Sequence, residues 1–171
     1  MLRIALLTLL VACGDGAMSD HVAVGWTGAA PASRGPCKPT AIGAATAVQN
    51  TGYNTLLAVA PGETAFDCRD GKLTLVVMQP TKLTLLTTGT ATSGTAFVVS
   101  VAAAAGDRNL GLGDASVGWT LPPGLREVSR CSEKATCLLP SSVRVIADAA
   151  GTYELTARFG ALTATTTIVV N

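Results

Sequence analysis

Hydrophobic and polar residues alternate most regularly near the end of the chain, where Tyr153, Leu155, Ala157 and Phe159 interleave with Thr152, Glu154, Thr156 and Arg158. Successive side chains of a strand point to opposite faces, so this period of two predicts a half-buried strand over 151–159. Phe159-Gly160-Ala161 then turns the chain into a final, Thr-rich strand over 162–170. Phe97, Val99 and Val101 share one face of an earlier run, as do Val143, Val145 and Ala147, and Trp119 sits within a strand over 115–121. Further upstream, Tyr53 to Ala60, Glu63 to Cys68, Lys72 to Gln79 and Lys82 to Thr87 read as strands. They are separated by Ala60-Pro61-Gly62, by Asp70-Gly71 and by Pro80, which are turn and breaker signals. Residues 87–94 read as a loop, and the Ala-rich stretch 40–49 fits either a poor strand or a short helix. Helix signals are otherwise nearly absent. About seven strands with turns every 8 to 12 residues predict an all-β fold, an antiparallel β-sandwich.

Before Cys37 the pattern changes. From Gly14 to Pro36 the chain is dominated by Gly, Ala, Ser, Pro and Asp, which predicts a flexible linker able to reach up to about 75 Å. Val22, Val24 and Trp26 alternate inside it and offer a second reading, an edge strand docked on the domain. At the start of the chain, Arg3 precedes an apolar run from Ile4 to Val11, and Leu10-Val11-Ala12-Cys13 closes that run. Such a run reaches about 13 Å as a helix, too short to span a hydrocarbon core of about 30 Å.

This N-terminal segment resembles the signal peptides of bacterial lipoproteins. The resemblance implies cleavage before Cys13, acylation of that cysteine and attachment to a membrane through the lipid. Each buried methylene contributes about 0.8 kcal/mol, so several acyl chains hold a folded domain at a bilayer. Gly14 stands where the family often places an inner-membrane retention Asp, which implies the outer membrane of the cell envelope. The expected organisation is a signal peptide over 1–12, the lipidated cysteine and linker over 13–36, an N-terminal β extension over 37–71 and the sandwich over 72–171.

Charge and cysteine usage fit that address. Removing residues 1–12 takes away Arg3, leaving 11 of the 12 Lys and Arg against 11 Asp and Glu. A neutral mature chain has no electrostatic footprint for nucleic acid. Only 13% of residues are charged while 49% are hydrophobic, so the apolar residues must be spent on a core. With Cys13 as the lipid site, Cys37, Cys68, Cys131 and Cys137 remain, an even set in a chain bound for an oxidising compartment. Three connectivities are open. Pairing Cys37 with Cys68 and Cys131 with Cys137 needs only sequence neighbours and is the expected one. Zinc would be the rival use of four cysteines, but the chain has no C-x-x-C and a single histidine, His21.

Over roughly Lys72 to Asn171 the chain resembles bacterial immunoglobulin-like domains of envelope proteins. The resemblance rests on Gly106-Asp107 and the Gly-rich turn through Gly113, on Trp119 in a third strand, on Gly151-Thr152-Tyr153 and on the Thr-rich last strand. It implies that Trp119 fills the core and that the Tyr153 hydroxyl bonds back to upstream backbone. Leu155 stands where antibody domains carry a disulfide cysteine, and Ala149 where many carry Asp, which separates this chain from the antibody type.

Catalytic chemistry finds little to build on. His21, the only histidine, falls in the expected linker, so a histidine-based triad has no oriented base. Asp67 with Asp70, and Asp107 with Asp114, are the nearest carboxylate pairs, and turn chemistry explains both equally well. Asp107, Asn109 and Asp114 supply oxygen atoms for calcium within one loop, but without the spacing of an EF-hand. No catalytic residue, cofactor or metal is expected. Two functions follow: a noncatalytic envelope lipoprotein that displays its sandwich for protein binding or structural packing, or a protein that binds or hydrolyses an envelope polymer with loop carboxylates. Sugar stacking would fall to Trp26 or Tyr53, with Trp119 used in the core.

Overall fold

The structure, a computed structural model, describes residues 21–29, 37–39, 48–52, 55–69, 71–128 and 138–171. Among them there is no helix. The strands are β1 (His21–Ala29), β2 (Cys37–Pro39), β3 (Val48–Gly52), β4 (Thr55–Ala58), β5 (Gly62–Cys68), β6 (Gly71–Met78) and β7 (Lys82–Thr88). They continue as β8 (Phe97–Ala105), β9 (Arg108–Gly113), β10 (Gly118–Thr120), β11 (Leu125–Glu127), β12 (Ser142–Ala147), β13 (Gly151–Phe159) and β14 (Leu162–Val170). The signal-peptide residues, Cys13, Tyr53, Asp70, Cys131 and Cys137 lie outside the described residues.

The expected two-sheet sandwich is present. One layer is β7-β8-β12-β11, where β8 pairs with β7 along one edge and with β12 and then β9 along the other. The opposing layer is the three-stranded sheet β10-β13-β14. Inward positions alternate as the sequence predicts. Phe97, Val99, Val143, Val145 and Ala147 meet Leu155, Ile168 and Val170 in one cluster. Leu83, Val101 and Ala103 meet Ala157 and Phe159 in another. Residues 40–49, ambiguous between strand and helix, contribute Val48 and Gln49 to β3.

Two expectations change. The first is strand direction: the large sheet is mixed, because β1 runs parallel to both β6 and β9. Short turns force neighbouring strands to be antiparallel, as in β5-β6 and β13-β14, whereas β1 is joined to β6 and β9 by long stretches of chain that impose no such rule. The second is the linker. Within 13–36, His21–Ala29 form β1, a strand in the interior of the large sheet. It pairs with β6 over 21–23, with β4 over 27–29, and with β9 between Val22 and Thr27. Strand β1 also serves two cores at once. Val22 (0% exposed), Val24 and Trp26 (5%) pack with Leu56, Ala58, Phe66, Leu73, Leu75 and Val77 of the N-terminal strands. Ala23, on the opposite face, joins the sandwich cluster of Val101 and Phe159.

Glycine makes that placement possible. Gly113 ends β9 with φ 55°, and a side chain there would run into the Trp26 indole and the Thr27 carbonyl. The Asp114 N–H donates to that same Thr27 carbonyl at 2.7 Å. Gly25 has φ 91°, and a methyl group there would stand 3.2 Å from the Phe159 ring. Strands β1, β4, β5 and β6 line the N-terminal cluster, and the buried Pro80 lies between β6 and β7.

The expected hairpin is present: β5 and β6 pair without a break down to Cys68↔Gly71, so β6 opens one residue earlier than expected, at Gly71.

Candidate interaction surface

The residues expected to carry function are dispersed. Trp119 is on β10, opposite Ala157 of β13, half-buried and packed against both sandwich clusters, with its indole Nε1 buried and without an acceptor among the described residues. Tyr153, near the start of β13, turns its hydroxyl back to donate to the Ala149 carbonyl at 2.9 Å. Its ring lies against Gly124, whose φ of 87° admits no side chain beside the ring without strain. Strand β2 pairs antiparallel with β5 so that Cys37 stands directly opposite Cys68. Directly opposed residues of an antiparallel pair have Cα atoms about 4.5 to 5.5 Å apart, inside the range a disulfide bridges.

The oxygen-rich loop does not form a site. Asp107 sits in the turn before β9 and Asp114 directly after it, so a six-residue strand holds them about 20 Å apart. Asp67 is exposed on β5, opposite Lys38 of β2. His21 is not in a mobile tether; it is half-buried on β1 opposite Val76. Among the described residues no three His, Cys, Asp or Glu side chains gather as a metal site would require. Trp26, proposed above as a sugar-stacking platform, is buried and presents no ring to a ligand.

What the structure does bring together is surface. The outer face of the three-stranded sheet is paved by Thr152, Thr156, Thr163, Thr165 and Thr167, with Glu154 and Arg158 among them. Thr156 and Thr165 are cross-strand neighbours whose hydroxyls lie 3.1 Å apart. Two of the large apolar side chains left in solvent, Leu86 (52% exposed) and Val169 (63%), are on β7 and β14, the edge strands that lie side by side where the two layers meet. The one salt bridge among the described residues, Arg126 to Asp148 at 3.1 Å, is exposed at both ends and contributes little.

No family model matches the chain, and no curated protein matches it. Solved structures that resemble it include two of a surface-layer protein. Domains 4 and 5 of the S-layer protein SbsC align over 67% of this chain and 68% of theirs, at 15% identity and a TM-score of 0.34. A structure of domains 4–9 of the surface layer protein SbsC aligns over 90% of this chain and 30% of its own, at 17% identity and a TM-score of 0.36. Likenesses of this degree carry no argument about what this chain does.

Proposed function

We propose that this chain is a noncatalytic lipoprotein of the bacterial cell envelope, anchored through Cys13 on the outer membrane, whose immunoglobulin-like sandwich works by contact with other proteins or by packing into an assembly. The observation that carries the exported half of this reading is the register of β2 on β5. Cys37 and Cys68, on separate strands, meet as direct cross-strand neighbours, which is the arrangement a disulfide needs and which an oxidising compartment would close. Leu10-Val11-Ala12-Cys13 supplies the signal for reaching that compartment.

Three features support the immunoglobulin-like assignment. The strand sets β7-β8-β12-β11 and β10-β13-β14 match the four-and-three division of the constant-type sandwich. Trp119 lies on the strand that pairs with the penultimate one, and Tyr153 bonds to backbone four residues upstream. The departure from that pattern is β1, which extends one layer into the N-terminal strands.

Placing β1 at 21–29 shortens the leash. Between an acylated Cys13 and His21 only residues 14–20 remain, which span at most about 25 Å. The sandwich would then work close to the bilayer, where a neighbouring membrane protein or another copy is the available partner. Fractionation of cells producing the wild-type chain and Cys13→Ser tests the anchor. The wild type should sediment with membranes and the variant should not; equal partitioning of the two would overturn the lipid assignment.

A further inference from the structure

The three strands of the small sheet carry only two charges, Glu154 and Arg158, both on the central strand β13 and both exposed on its outer face. They stand four residues apart, about 13 Å along the strand, too far to pair with each other. Neither takes part in a salt bridge among the described residues. Arg158 is held in place all the same, because its Nε donates to the Gly160 carbonyl at 3.1 Å. Gly118, opposite it on β10, has no side chain to hinder the guanidinium.

Thr156 lies midway between the two charges. Register places Thr120 of β10 and Thr165 of β14 on either side of it, so a row of three threonines crosses the sheet. On β14, Thr163 stands beside Arg158 and Thr167 beside Glu154. Exchanging the two ends of this face about the threonine row therefore swaps Glu154 with Arg158 and Thr163 with Thr167. Threonine is short and stiff at χ1, so the face is flat and loses little side-chain freedom when it is covered.

We propose that the outer face of this sheet packs against the same face of a second copy, about a two-fold axis that runs along the row of Thr120, Thr156 and Thr165. Strands of the two copies are then antiparallel, Glu154 of each meets Arg158 of the other, and Thr163 meets Thr167. Sheets stacked face to face keep their strand directions within about 30° of each other. That rotation moves a residue about 7 Å from the axis by about 3.5 Å, which the long Glu and Arg side chains can follow. A two-fold contact needs only one self-complementary patch, and this face is one. It measures at most about 30 Å by 14 Å, roughly half of the 800 Å² that each partner gives to a standard interface. The dimer is therefore weak, with a Kd on the order of 100 µM.

The inference deepens the contact reading above by naming a second copy as the partner, and it rests on that reading but not on the lipid. A monomer in solution whose wild type still sediments with membranes would overturn the pairing alone, and a dimer whose wild type never reaches the membrane would overturn the anchor alone. The test is sedimentation velocity on the full chain carrying Cys13→Ser, from about 5 to about 500 µM. A concentration-dependent dimer is expected. Glu154→Arg and Arg158→Glu each bring like charges face to face and should each weaken it about tenfold or more, with a strand-rich circular dichroism spectrum retained. An equimolar mixture of the two, and the double variant carrying both, set opposite charges against each other again and should dimerise. If Arg158→Glu fails to fold, Glu154→Arg compared with Glu154→Gln reads the same contact, and the arginine variant should be the weaker dimer. A monomer throughout the range, a dimer indifferent to the reversals, or no recovery in the mixture and the double variant would each overturn the proposal.

Discussion

Trp26 and Trp119 invert the roles that their positions in the chain imply. Trp26, inside a stretch of Gly, Ala and Pro, is the more buried of the two and is clasped by Gly113, whereas Trp119 is half-buried between the sandwich clusters. Trp26→Ala should therefore cost about 3 to 5 kcal/mol in chemical denaturation, and Trp119→Ala less, because part of that ring stays in water. Equal effects would contradict the difference in burial. Tyr153→Phe removes the bond to Ala149 and nothing else, so a loss of about 1 kcal/mol is expected from the same measurement. At this scale the sequence was legible wherever a residue's role is local. The bond from Tyr153 follows from a corner only a few residues long. The clasp on Trp26 was not legible, because Gly113 is distant in sequence and nothing in the nearby residues announces it.

Among the strands, the pattern of apolar positions and turns located β7, β8, β10, β12, β13 and β14, but not the three-residue β11, nor β9, whose glycines read as a turn. Strand β1 also escaped. Its residues alternate, but both faces are buried, and the Ala and Gly that let it pass between two cores give it the composition of a linker. A chain begun at Cys37 should consequently fail to give a cooperative thermal transition, because it would leave β6 and β9 without the strand between them. A sharp transition from that truncated chain would return residues 21–29 to the status of a tether. Strand β2, at the far edge, has only three residues to hold it. A disulfide between Cys37 and Cys68 closes a loop of about 30 residues and is worth about 3 to 4 kcal/mol on the loop-entropy model. Nonreducing peptide mapping should recover the two cysteines in one linked fragment, and reduction should lower the melting temperature.

The molecule as a whole is one sandwich with a second, smaller core built beside it, and β1 belongs to both. That sharing makes the two parts depend on each other. Substitutions that empty the N-terminal core, such as Leu75→Ala, should lower the stability of the sandwich as well, seen as a single shifted transition and not as two. Two resolved transitions would mean that the cores melt separately. The candidate surface was only half visible in the sequence. Its threonines could be read directly, but which strands lie beside them is decided by strand order, and strand order rests on pairings between residues far apart in the chain.

Strand β1 is also the first strand of the described chain, and it is bonded to β9 on one side and to β6 and β4 on the other. Tension entering from its leading end acts along the strand axis, so the flanking ladders resist it in shear and must give way together. An outermost hairpin strand would instead peel, one bond after another. The fold thus meets a tug from its N-terminal side at a mechanical clamp.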